Sequence, residues 1–197
     1  MVGLGPSRVP GGSHPLQRNY GVGVARLILL NGPPGNGKST LGRAYADDHP
    51  LALCLDIDHV RAMLGGWRDD PHEAGLRARA IALAAIRAHL SAGYDVIVPQ
   101  LIARPEFLDQ LGELADEVGA DFHHVVVMVD RAVAWGRIVA RTSTVEAATP
   151  VTPESLADYY DRVLGFVAKR PTARVIDAVD GDIDGTYRSI VDALVRG

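Results

Sequence analysis

Cysteine is almost missing from this chain: Cys54 stands alone among 197 residues. That excludes an internal disulfide and any cysteine-based metal site, and it fits a reducing, cytoplasmic setting. An excess of positive charge is missing too, with Lys+Arg 20 against Asp+Glu 24 and a net charge of −4. Proteins that coat nucleic acid through its phosphates are usually basic, so that role is disfavoured. No apolar run reaches the roughly 18 residues that a membrane-crossing helix needs. What remains is a chain long enough to bury a core without staples, with room for one domain and at most a lid.

Residues 1–24 are rich in Gly, Pro and Ser, show no periodicity and carry no long apolar stretch of the kind found in secretory signals. They read as a flexible N-terminal extension ahead of a single domain over 25–197. Within that domain short apolar runs alternate with helical patterns, and there is no internal repeat. Strands are expected at 25–30, 51–57, 95–98, 124–129 and 174–177. Helices are expected at 39–47, 59–64, 73–91, 105–118 and 153–168, from Asp130 as cap through Arg141, and at 183–196. Pro105 suits a first helical turn and Thr152 suits a cap. This alternation predicts an α/β fold in which right-handed crossovers place helices on both faces of a parallel sheet.

The informative stretch is Gly32-Pro33-Pro34-Gly35-Asn36-Gly37-Lys38-Ser39, which fits the phosphate-loop pattern G-x-x-x-x-G-K-[ST] in full. A buried-looking strand precedes it and a helix follows, as the mechanism requires. Gly32, Gly35 and Gly37 permit backbone conformations barred to residues with a Cβ, so that successive N–H groups form an anion nest. The helix N-terminus adds partial positive charge. Lys38 would reach the β- and γ-phosphates of a bound nucleotide, Ser39 would hold Mg²⁺, and Thr40 would donate to an α-phosphate oxygen.

The chain has no N-K-x-D guanine-reading motif, and it is short for a helicase or a hexameric ATPase. Asp58 and Arg61 follow the second apolar run, at the carboxyl edge where open α/β sheets place their ligands. A carboxylate there suits the orienting of an attacking hydroxyl, because phosphoryl transfer is mostly positioning and charge stabilisation. Asp58 also suits an N-cap for helix 59–64, and the two roles are compatible. Asp56, two residues earlier on an extended run, would share its face and support Asp58 or the Mg²⁺ water shell. Arg137 and Arg141 lie on one helix face before a segment with little to bury, a lid over about 137–153 that would bring arginines to the transferring phosphate. Gln100 and Arg104 are candidates for an acceptor pocket, as is Trp67, whose alternative is the core. Arg68, Arg77, Arg79 and Arg87 read as a solvated face, with binding of an acidic acceptor as the alternative, Trp135 reads as lid-helix packing, and His123, His124 and the other histidines as structural.

Gly32–Thr40, Asp58 with Arg61, and the Arg137/Arg141 pair together resemble the small P-loop kinases of the nucleoside-monophosphate-kinase type. Within them the chain is most similar to the branch that holds chloramphenicol phosphotransferase, zeta-toxin kinases and 5′-hydroxyl polynucleotide kinases. The resemblance implies a three-layer fold with a five-stranded parallel sheet in the order 2-3-1-4-5, an AAA-like nucleotide site, and ATP with Mg²⁺ as donor. It implies that Asp58 orients or deprotonates an acceptor hydroxyl, that Arg61 touches the acceptor, and that 177–181 lies near adenine. The chain departs from the pattern at Pro99-Gln100, where several relatives carry an acid. Three functions compete: a kinase for a small-molecule hydroxyl (an antibiotic, nucleoside or sugar), a 5′-hydroxyl nucleic-acid kinase, and an ATP-binding regulator or toxin-like protein.

Overall fold

The computed structural model describes residues 23–140 and 150–195. All but two residues of the expected N-terminal extension lie outside this range. So do Arg141 and most of the expected lid. Five strands, β1 (Arg26–Asn31), β2 (Leu53–Cys54), β3 (Val96–Pro99), β4 (Asp121–Met128) and β5 (Arg174–Asp177), pair in parallel in the order β2-β3-β1-β4-β5. Between them run α1 (Lys38–Asp48), α2 (Ile57–Ala62), α3 (Pro71–Ser91), α4 (Pro105–Val118), α5 (Arg131–Ala140) and α6 (Pro153–Val167), and α7 (Ile183–Val195) closes the chain. None of the helices described is long and apolar enough to cross a membrane.

Strand β1 is central and apolar on both faces, and its alternation divides the core. Leu27 and Leu29 pack with Val96 and Val98 under α3 and α4. Ile28 and Leu30 pack with Ile97, Val125 and Val127 under α1 and α7. Helix α3 buries Ala74, Ala78, Ala82, Ile86 and Leu90, spaced by four, so small side chains bring it close to the sheet. A third cluster joins Val126 and Met128 to α5 and α6 through Ala134, Leu156, Tyr160 and Val163. Helix α6 begins at Thr152 with a reciprocal capping box to Ser155.

Strand β2 is much shorter than its apolar run. Leu51 sits at φ 61 in a turn, and Ile57 is already helical. The ladder still reaches Leu55, whose N–H donates to the Ile97 carbonyl at 2.9 Å. Strand β4 starts three residues before its expected first residue, so His123 and His124 lie inside it.

Two buried polar clusters lock the sheet. The Tyr45 hydroxyl donates to Asp95 at 2.7 Å, and the other Asp95 oxygen accepts from the Arg26 N–H at 2.8 Å. Burial, reinforced by Asp95, raises the Tyr45 pKa. His124 is buried beside Asn31, with Nε2 at 3.2 Å from the Asn31 amide nitrogen. Burial, with a smaller contribution from Arg170, lowers the His124 pKa from 6.5 to about 4. The ring is therefore kept neutral in the folded protein. Its contribution to stability is complete above about pH 6.5 and is lost as pH falls towards 4, up to about 3 kcal/mol. Urea denaturation of the wild type and His124→Gln across this window is expected to show the wild type losing more stability on acidification, and parallel curves would count against it.

Candidate active site

The loop between β1 and α1 takes its shape from glycine. Gly32 has φ 143, and a Cβ there would strike the Val127 carbonyl oxygen. Gly35 has φ 80, and a Cβ would lie 2.5 Å from the Ala134 carbonyl oxygen. The loop thus presses against β4 and α5 where only glycine fits. Helix α1 has Gly37 as its N-cap, with no side-chain cap and no acid in its first turn. Its N-terminal N–H groups and partial positive charge therefore face an anion without competition from a carboxylate. The Lys38 ammonium curls back over the loop and donates to the Pro33 carbonyl at 2.8 Å.

Asn36 does not face solvent. It is buried, its amide nitrogen donates to the Val127 carbonyl at 2.8 Å, and its oxygen lies 2.9 Å from the Tyr160 hydroxyl. That hydroxyl also lies 2.8 Å from the Val129 carbonyl, so one proton serves two acceptors. Burial raises the Tyr160 pKa and keeps the phenol protonated. Asn36 is thus the strut that holds the loop to β4 and α6. Neither Tyr160 nor this role was visible from the motif.

Ser39 leads to the second half of the site. Its hydroxyl donates to Asp56 at 3.1 Å. Asp56, with a side chain 15% exposed, is the N-cap of α2: its other oxygen accepts from the Asp58 N–H at 3.0 Å. His59 Nδ1 approaches the oxygen that Ser39 uses, at 3.3 Å. The cap is therefore Asp56, and the expectation that Asp58 caps this helix is corrected. The helix begins two residues earlier than expected, which also removes the extended run on which Asp56 and Asp58 would share a face. Asp58 stands in the first turn, 48% exposed, and pairs with Arg61 Nη1 at 2.9 Å.

Arg61 lies with its guanidinium 4.9 Å from the ring centroid of buried Trp67, and Arg68 lies 4.4 Å from the same ring. Trp67 is both core and a wall for these cations. Among the described residues, two buried side-chain atoms have no hydrogen-bond partner: Arg61 Nε, a donor, and Gln100 Oε1, an acceptor. Of the α3 arginines, Arg77 pairs with Glu73 at 2.7 Å, Arg87 pairs with Glu117, and Arg79 lies 5.9 Å from the Phe107 ring. Arg104 precedes α4 as its N-cap.

On the other side of the loop, a cleft of about 320 Å³ runs from Asn36, Gly37 and Thr40 to Arg137, Val179 and Asp180. Arg137 bridges it, with one nitrogen 3.5 Å from the Gly35 carbonyl and the other 2.6 Å from Asp180. Exposed Val179 and Ile183 add apolar wall. The volume and the mixed lining suit the base and sugar of a nucleotide. The glycine cradle, the uncapped α1 terminus and Lys38 suit its phosphates. The Ser39 hydroxyl beside the Asp56 carboxylate is an oxygen set that suits a hydrated Mg²⁺. The resemblance points to 177–181, which includes Asp180, but the pairing of Asp180 with Arg137 arises only through the fold.

Comparison with known proteins bears on the fold. No curated protein matches the chain. Among solved structures it is similar to a gluconokinase from Sinorhizobium meliloti 1021, at 18% identity and TM-score 0.57, covering 88% of this chain and 93% of that one. It is similar to the Deinococcus radiodurans tunicamycin resistance protein at 18% identity and TM-score 0.62, covering 86% and 95%. It is also similar to a chain of the Pnkp1/Rnl/Hen1 RNA repair complex at 19% identity and TM-score 0.63, covering 78% of this chain but spanning only 49% of that one. These likenesses give the P-loop kinase-like fold. The family model described as an AAA domain matches residues 27–164, well over half the chain, and the chain therefore belongs to that family, in its P-loop kinase-like form.

Proposed function

We propose that this chain is a phosphotransferase that moves the γ-phosphoryl group of Mg²⁺-ATP to a hydroxyl of a small molecule. The observation that carries the reading is the continuous polar path from the phosphate loop to α2: Ser39 to Asp56, Asp56 to the Asp58 N–H, and Asp58 to Arg61. A phosphate loop alone serves hydrolases and switches equally well. A carboxylate–arginine pair fixed to that loop through one shared aspartate is what a second substrate needs.

Bound Mg²⁺-ATP would supply the phosphoryl group and the cation that screens it. The protein's part is placement. Glycine-shaped backbone and Lys38 hold the phosphates, and Ser39 with Asp56 hold the hydrated cation. Asp58 accepts a hydrogen bond from the attacking hydroxyl and aligns it. Arg61 and Gln100 would line the acceptor side, where Arg61 Nε and Gln100 Oε1 are buried without a hydrogen-bond partner in the protein. Arg137 closes the nucleotide side, and the proposed lid that follows it would exclude water.

A small acceptor is favoured over nucleic acid because the chain carries a net charge of −4, whereas proteins that bind nucleic acid through its phosphates are usually basic. The RNA-repair neighbour keeps the second reading, a 5′-hydroxyl nucleic-acid kinase, in the test. Transfer of label from γ-labelled Mg²⁺-ATP is measured on antibiotics, nucleosides, sugars, sugar acids and a 5′-hydroxyl oligonucleotide. Label on a small molecule is expected. Label on the oligonucleotide would support the second reading, and label released only as phosphate would favour the regulator.

Three substitutions sharpen this. Lys38→Ala is expected to abolish transfer with no change in melting temperature, and retained turnover would remove the phosphate-loop assignment. Asp58→Asn is expected to lower kcat about 100-fold or more while ATP affinity holds; a drop in melting temperature alone would make Asp58 structural. Tyr160→Phe leaves the Asn36 oxygen buried without its hydroxyl donor, at a cost of about 1–2 kcal/mol. Calorimetry should then show weaker Mg²⁺-ATP binding, and an unchanged affinity would mean that the loop is held without Tyr160.

A further inference from the structure

Asn31 is the last residue of β1, fully buried, and not part of the phosphate-loop motif. Its side chain satisfies every hydrogen bond that an amide can make. The oxygen accepts from the Gly32 N–H at 2.7 Å and from the Ile102 N–H at 2.9 Å. The nitrogen donates to the Ile102 carbonyl at 2.8 Å and has His124 Nε2 at 3.2 Å. Both partners of the oxygen are N–H donors, which settles which way the amide faces. His124 Nε2 must then accept, so the ring proton sits on Nδ1.

Gly32 is the first residue of the phosphate loop. Ile102 lies in the stretch 100–104 between β3 and α4, which starts at Gln100 and ends at Arg104. One side chain therefore holds the donor-side loop and the acceptor-side stretch by their main chains. It binds Ile102 through both N–H and C=O, as one peptide group pairs with another. Gln100 is tied in alongside, its N–H donating to the Leu30 carbonyl at 3.1 Å. A shift of the Gly32 N–H must move the Asn31 oxygen or break a buried bond, and the same oxygen holds Ile102.

We infer that Asn31 is a positioning residue that couples the phosphate loop to residues 100–104, so that nucleotide on the loop adjusts where Gln100 is presented to the acceptor. The inference rests on the proposed nucleotide site. It requires no contact between Asn31 and either substrate.

The test is an NMR titration of ¹⁵N-labelled full-length protein with Mg²⁺ and the β,γ-imido analogue of ATP. In the wild type the amides of Gly35–Ser39 and those of Gln100 and Ile102 are expected to shift together, with dissociation constants that agree within about twofold, as linkage to one binding event requires. In Asn31→Ala, or the milder Asn31→Ser, the loop amides should still shift at saturation. The responses at Gln100 and Ile102 should shrink about fivefold or more. Wild-type protein whose loop shifts while 100–104 stays still would overturn the inference, whether or not the variants fold. Variants that keep the full response at 100–104 would overturn it too. A titration that is flat even at Gly35–Ser39 would remove the nucleotide site itself, and this inference with it.

Discussion

Backbone N–H groups converge on an anion only if something outside the loop keeps them there. Left to itself, a six-residue glycine-rich segment would spread over many conformations, and each would cost entropy to recover on binding. Two buried asparagines remove that freedom. Asn31 fastens the loop where it leaves β1, and Asn36 fastens its middle to β4 and α6. Asn31 spends three of its four hydrogen bonds on the main chain of Gly32 and Ile102, and Asn36 spends one on the Val127 carbonyl. The same bonds that make the loop rigid therefore also satisfy the sheet ends that carry it.

The second organising element is Asp56. A single carboxylate caps α2, receives the Ser39 hydroxyl and draws His59 close. The short α2 cannot stand by its own hydrogen bonds, because helices of this length are unstable in isolation. It is held by Asp56 at its start and by Ile57 and Val60 in the core. The placement of Asp58 and Arg61 thus depends on the residue that binds the loop serine. Preorganisation of the two halves of the site is one physical problem with one solution.

Much of the architecture could be read along the chain, for local reasons. Helix α4 matches its expected limits because Pro105 and Gly119 bound it and a regular apolar stripe runs between them. Strand β5 also falls at its expected limits, 174–177. The start of α2 was misread because Asp56 and Asp58 are equally good caps on paper. The choice was made by the sheet, whose ladder ends at Leu55 and leaves Asp56 next in line. In the site, Gly32 to Ser39 formed a contiguous pattern and was legible. Tyr160 meets Asn36 across 124 residues and Asp180 meets Arg137 across 43. No periodicity or spacing encodes such meetings, since they arise only when a helix and a loop far apart in the chain close on the same edge of the sheet.

The Arg137–Asp180 pair has a consequence for exchange of molecules at the cleft. The arginine side chain is 34% exposed and the aspartate 62%. Pairs so open to water are worth about 1 kcal/mol or less and weaken with salt. The bridge across the cleft is thus a weak latch. A polyanion that enters offers the arginine more charge than one carboxylate can, so the latch is traded for a better partner at little expense.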